Sequence, residues 1–207
     1  MDMTRKNTKD GCVIIGLGNE FMRDDGFGII ALRLLREKIL AHDRNAASEE
    51  NRLLPHLTFR ESTTGGLDIL DLILGFRNCI LLDAVITGSY EPGTLFRHVY
   101  NACREDVRLV SSHQINLTEV LGLAKLYHAD APQSVVVYGM EVEDALTFSV
   151  GCTKKVQEML PLFVETVAEE LTSGRPFNQS NHNHVAEFPR WPSARIPSAD
   201  DHPVFAS

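Results

Sequence analysis

Apolar and polar positions along the chain alternate between two periodicities. Val13, Ile14 and Ile15 form a β-branched run too short for a helix, which predicts a strand buried on both faces. Gly16 and Gly18 follow, where the chain turns tightly, and then the adjacent acids Asp24 and Asp25. From Gly26 the apolar residues recur at helical spacing, predicting a helix that ends near Leu40. Residues 41–55 are polar and read as an exposed loop. Residues 57–62 alternate weakly as a second strand, and 67–74 follow a Gly65-Gly66 turn with the spacing of an amphipathic helix. Cys79, Ile80, Leu81 and Leu82 make a third strand ending at Asp83. After a turn at Glu91-Pro92-Gly93, residues 94–99 read as an edge strand. Residues 117–124 read as a helix, 134–140 as the last strong strand, and 153–171 as a final helix that Pro161 kinks or splits.

This alternation predicts an α/β fold: a doubly wound, mostly parallel sheet with helices on both faces, in one domain. Residues 1–10 read as a disordered leader and 11–174 as the domain. The Pro, Asn, His and Ser content of 175–207 predicts a flexible tail.

Composition narrows the function. The chain of 207 residues carries a formal charge of -8, which argues against nucleic acid because phosphate binding needs a basic face. No apolar run approaches the ~20 residues of a membrane span, and the first residues lack the apolar core of a secretory signal. Cys12, Cys79, Cys103 and Cys152 lie far apart without C-x-x-C spacing, so neither a zinc ribbon nor a disulfide framework is expected. A cytoplasmic enzyme fits these features, and nothing demands more than a monomer.

Asp25, Asp83 and His113 stand out because each follows an apolar strand or opens a helix at the expected carboxyl edge of the sheet, where α/β folds bind ligands. Two carboxylates and an imidazole make a mixed oxygen and nitrogen site that suits a divalent transition metal and leaves positions open. Each residue also has a local reading. Asp24 or Asp25 fits a helix cap, Asp83 fits the turn after a strand, and a lone His113 fits a structural histidine. Three other patterns are weaker. Gly16-x-Gly18 lacks the third glycine of a dinucleotide fingerprint, and Asp24-Asp25 would repel a pyrophosphate. Ser111 or Ser112 with His113 and Asp83 makes a triad only on paper, without a nucleophile elbow. His182 and His184 have metal-binding spacing but lie in the polar tail.

Gly16-Leu17-Gly18-Asn19 with Asp24-Asp25-Gly26-Phe27-Gly28 resembles the opening motif of the hydrogenase maturation endopeptidases. Residues 80–85 with Pro92-Gly93-Thr94 resemble the second acidic block of that family, and Ser112-His113-Gln114 with Leu117 its histidine block. The resemblance covers about residues 13–171. It implies a doubly wound α/β protease that removes a C-terminal extension from the large-subunit precursor of a nickel–iron hydrogenase after nickel insertion. It also implies that Asp25, Asp83 and His113 are the metal-contacting and catalytic residues, with Asp24 a cap or supporting group. The nickel would be supplied by the precursor, with no organic cofactor. The chain departs from the family where Glu61-Ser62-Thr63-Thr64 stands in place of an Asp-Gly-Gly-Thr-like sequence that members often carry, in a longer connection at residues 41–55, and in the tail beyond Gly174. A non-cleaving chaperone or metal-checking protein for the same precursor is the alternative. A metallopeptidase of other specificity and a nucleotide-binding regulator are further rivals.

Overall fold

The β-branched runs form a six-stranded sheet with strand order β2-β1-β3-β5-β4-β6 in a computed structural model. It describes residues 9–49, 52–53, 56–100, 117–126, 130–173 and 186–187. The strands are β1 (Lys9–Leu17), β2 (Leu57–Ser62), β3 (Phe76–Val85), β4 (Leu95–Tyr100), β5 (Ser134–Glu141) and β6 (Ala186–Glu187). The helices are α1 (Phe27–Arg44), α2 (Asp68–Ile73), α3 (Leu117–Leu126) and α4 (Lys154–Thr172), and a single 3-10 turn, Arg23–Gly26, precedes α1. β2, β1, β3 and β5 run parallel, while β4 is antiparallel to β5.

The pleat sends alternate side chains of each central strand to opposite faces, and both faces are covered. Ile14, Ile80, Leu82, Val136 and Tyr138 pack with Phe27, Leu35, Val156 and Phe163, which belong to α1 and α4. Val13, Ile15, Leu81, Val85 and Val137 pack with Ile69, Ile73, Val120 and Leu121, from α2 and α3. This is the doubly wound arrangement that the alternation of strands and helices predicts. The chain winds from β1 out to β2 and then crosses to β3 on the other side of β1. The β1/β3 pair is therefore the topological switch point, where α/β sheets open a crevice for ligands.

Several boundaries differ from those read in the sequence, each for a physical reason. β1 begins at Lys9, inside the expected leader, because backbone pairing to β3 extends to Lys9 beyond the apolar run. α1 continues to Arg44, past the expected end, where Asp43 turns its carboxylate to accept the N–H of Leu53 at 2.9 Å. α4 is neither split nor ended by Pro161. Pro161 is exposed, while Val156, Leu160, Phe163, Val164 and Val167 are buried on the opposite stripe. Burying that stripe, at roughly 1.5–3 kcal/mol per large side chain, outweighs the ~3 kcal/mol cost of an internal proline. Within the expected tail, Ala186 and Glu187 pair in parallel with Phe96 and Arg97 of β4, so β4 is not quite the edge of the sheet.

One close approach fixes the geometry of the switch point. A Cβ at Gly28 would lie 2.2 Å from the Leu17 carbonyl oxygen and 2.3 Å from that of Leu82. Only glycine lets the first turn of α1 seat directly on the ends of β1 and β3. Gly28→Ala is therefore expected to lower stability by about 2–3 kcal/mol through overpacking against backbone. Gly122→Ala in α3, where a Cβ meets nothing within 4 Å, should instead stabilise by roughly 0.5–1 kcal/mol. Urea unfolding of the two variants side by side checks both signs.

Candidate functional site

The turn that carries the paired acids is held against the sheet from below. Gly18 has φ +147°, and a Cβ there would lie 2.0 Å from the Asp25 carbonyl oxygen, so the 3-10 turn rests on the end of β1. The space at Gly16 and Gly18 that a pyrophosphate would need is thus filled by the backbone of Gly28 and Asp25, which removes the basis for nucleotide binding there.

Asp24 and Asp25 are both buried, and neither side chain caps α1 or the 3-10 turn. Their roles diverge. The Asp24 carboxylate accepts the N–H groups of Glu143 at 3.2 Å, Asp144 at 3.0 Å and Thr153 at 2.5 Å, and the Thr153 hydroxyl at 3.0 Å. Asp24 is a hub that ties the turn to residues 143–153 and to the start of α4. Its negative charge, together with burial, pushes the nearby Cys152 thiol up to about 12; burial is the larger cause. Asp24→Ala is expected to destabilise the protein by roughly 2–3 kcal/mol, since the two buried donors of Thr153 and the half-buried amides of Glu143 and Asp144 lose one charged acceptor. Thermal unfolding together with proteolysis within 143–153 checks this.

Asp25 accepts the N–H of Asn19 at 2.8 Å through Oδ2. Asn19 in turn accepts the Phe21 N–H at 3.0 Å through Oδ1, so a short chain of bonds orients the Asp25 carboxylate. Asp83 is also buried, and it lies within β3 rather than after it, paired with Gly139 of β5. The strand-end turn reading of Asp83 therefore does not hold. Its position in the pleat places it with Leu81 and Val85, on the face covered by α2 and α3. Because Gly28 packs on Leu17 and Leu82, the turn carrying Asp25 and the β3 position carrying Asp83 meet at the carboxyl edge of the switch point. His113 lies outside the described residues, in the stretch that leads into α3, and so do Ser111, Ser112, His182 and His184. Among the described residues, no three His, Cys, Asp or Glu side chains cluster to hold a metal ion.

A fourth acid at the same edge escaped the sequence reading. Glu141, buried at the end of β5, accepts the N–H groups of Thr87 and Gly88 at 2.8 and 2.9 Å and the Thr87 hydroxyl at 2.9 Å. Like Asp24, it is committed to loop anchoring. The turn that departs from the family, Glu61-Ser62-Thr63-Thr64, is also structurally accommodated. Arg33 bridges Glu61 at 2.8 Å and Glu20 at 2.6 Å, and the ion pair draws the Glu61 carboxyl below its usual range. Ser62 closes a local turn by donating its hydroxyl to the Thr64 carbonyl, while its own carbonyl accepts the Gly18 N–H at 3.0 Å. The altered turn is therefore tied to the glycine-rich end of β1.

Comparison with known proteins gives a consistent result. The profile of the hydrogenase maturation protease family (HycI) matches residues 46–170, a span that includes Asp83 and His113. The hydrogenase 2 maturation protease of Escherichia coli is 20% identical over 165 residues, covering 77% of this chain and 89% of its own length. The hydrogenase expression/formation protein HupD of Rhizobium leguminosarum is 24% identical over 168 residues, covering 78% and 74%. Among solved structures, the hydrogenase maturating endopeptidase HybD of Escherichia coli superposes with TM-score 0.59 at 20% identity, covering 79% of this chain and 94% of that one. The HybD protease of Thermococcus kodakarensis superposes with TM-score 0.54 at 21% identity, covering 78% and 99%. At these identities the superpositions establish a shared fold.

Proposed function

This chain belongs to the hydrogenase maturation protease family, and we propose that it removes the C-terminal extension of a nickel–iron hydrogenase large-subunit precursor after nickel insertion. In this reading Asp25, Asp83 and His113 contact the nickel that the precursor carries. What supports this reading is that the turn carrying Asp25 contacts β3, the strand carrying Asp83, at the β1/β3 switch point, while the neighbouring acids Asp24 and Glu141 are committed to anchoring loops.

The physical logic is differential binding. A precursor with nickel in place gains carboxylate and imidazole contacts that an empty precursor lacks, so only the loaded form docks its scissile segment productively. Hydrolysis of the peptide bond is then assisted either by a carboxylate that activates water as general base or by the ion, which would polarise the scissile carbonyl. Nickel enters as part of the substrate and leaves with the processed subunit. Among the described residues, no helix is long and apolar enough to cross a membrane.

The test is to incubate the protein with nickel-loaded and nickel-free precursor and to follow the mass of the large subunit. Loss of the extension from the loaded form alone is expected. Equal cleavage of both forms would contradict metal gating. Stable binding of the loaded precursor without cleavage would favour the non-cleaving chaperone instead.

A further inference from the structure

Four large apolar side chains are exposed beside the paired acids: Phe21 at 59%, Leu146 at 81%, Phe148 at 78% and Val150 at 78%. Their area is on the order of 500 Å², given roughly 150–250 Å² per aromatic side chain. That is as large as the largest apolar patch on a typical soluble monomer, and such patches are often functional. It is also held rigidly. Met22 and Ser149 form a parallel β-bridge, with the Arg23 N–H donating to the Ser149 carbonyl at 2.8 Å and the Ser149 N–H to the Phe21 carbonyl at 2.9 Å. The bridge sets Phe21 beside Phe148, and their rings stack at 6.2 Å with an interplanar angle of 11°. Asp24 fixes the same segment through Glu143, Asp144 and Thr153, and Arg23 pairs with Asp144 at 3.5 Å. The apolar side chains are thus presented outward by a pinned backbone, which costs hydration unless something covers them.

We propose that Phe21, Leu146, Phe148 and Val150 form the docking ledge for an apolar surface on the folded body of the precursor. This rests on the function proposed above. Continuity with the carboxylates argues for that occupant. Asn19 donates its N–H to Asp25 and accepts the N–H of Phe21, so the ledge and the acid are parts of one turn. A macromolecule that brings a metal to Asp25 must cover Phe21 as well. The shape fits a folded protein surface better than a small ligand, because these residues line a ledge and not a cavity. A lipid surface is disfavoured by charge, since beside the ledge Glu143, Asp144 and Glu158 offset Arg23, Lys154 and Lys155, where membrane binding calls for a clear excess of lysines and arginines. The ledge would add binding that does not depend on nickel, leaving the metal contact to decide which docked precursors are cut.

The experiment uses the full chain and purified nickel-loaded precursor, measuring Kd, cleavage kinetics and sedimentation for wild type, Phe148→Asp and Leu146→Ser. Phe148→Asp is expected to raise Kd and KM by about tenfold or more, as for loss of a central aromatic anchor, with little change in kcat. Leu146→Ser, a milder change at a more exposed position, should raise both by about threefold. Melting temperatures of both variants should match wild type. If wild type binds and cuts the precursor and both variants do so equally well, the ledge is overturned and the proposed function stands. If wild type neither binds nor cuts, both fail. If wild type sediments as a dimer that Phe148→Asp splits without changing precursor affinity, a second copy of the chain is the occupant and the ledge is again overturned.

Discussion

Asp83→Asn is expected to slow removal of the precursor's extension by about 10²–10⁴-fold, the range for losing a carboxylate that acts on protons or charge in a hydrolysis. The substitution preserves shape inside β3, where Asp83 pairs with Gly139 and both neighbouring strands are buried. Backbone pairing therefore survives, and the loss reports on charge. Asp25→Asn should behave in the same way, because Asp25 shares the switch point with Asp83 and one oxygen is already oriented by Asn19. Asp24→Asn is the instructive contrast. Its carboxylate serves the buried N–H and hydroxyl of Thr153 at the start of α4, so its rate loss should follow its stability loss. Cleavage of nickel-loaded precursor, normalised to the folded fraction of each variant, separates the two patterns. Wild-type rates in Asp83→Asn would remove Asp83 from the reaction.

Glu170→Ala is expected to destabilise the protein by about 3–5 kcal/mol, as when one partner of a buried ion pair is removed. Arg97 of β4 donates from Nε and Nη2 to the Glu170 carboxylate of α4 at 2.8 and 2.6 Å, and both side chains are buried. Tyr138 of β5 also donates its hydroxyl to Glu170. Burial works to lower the Arg97 pKa, but the hydrogen bonds and charge of Glu170 overcome it and hold the guanidinium charged. Burial and the same carboxylate push the Tyr138 hydroxyl well above its ordinary range, so it remains a donor. Without Glu170, a charged guanidinium and a phenol between α4 and the sheet lose the carboxylate to which both donate. At roughly 2–4 °C per kcal/mol for a chain of this size, the melting temperature should fall by about 10 °C. Combining Arg97→Met with Glu170→Leu should recover most of the loss, since a packed apolar pair replaces the charges without leaving one exposed to the core. A fall of less than ~1 kcal/mol in Glu170→Ala would mean that water reaches the cluster.

The difference between these residues shows what was legible in the sequence. Apolar runs located β1, β3 and β5, because a strand buried on both faces must be apolar along its length, while weak alternation located the half-buried β2. β2 and the start of β5 fall where the pattern puts them. The family resemblance pointed to the same three residues that the edge of an α/β sheet singles out, and two of them, Asp25 and Asp83, are among the described residues. Contacts across long stretches of chain were not legible. Nothing in the sequence near Asp24 announces amides more than a hundred residues away, at Glu143, Asp144 and Thr153. Arg97 and Glu170 likewise look like ordinary surface charges until β4 and α4 pack together. Gly28 reads as a helix residue of low propensity, and only the packing shows that it must lack a side chain. Phe148 and Val150 read as stray apolar positions in a polar loop. Their register with the turn at Phe21 arises from a single β-bridge that no local pattern encodes.

In the proposed function, Asp25, Asp83 and His113 meet around one metal ion. Titrating nickel, or cadmium as a redox-inert probe, into the isolated protein and into Asp25→Ala, Asp83→Ala and His113→Ala tests it most directly. One site that each substitution weakens by about tenfold or more is the expected result, the size of effect seen when a ligand of a metal site is disturbed. Binding that none of the three substitutions alters would contradict it.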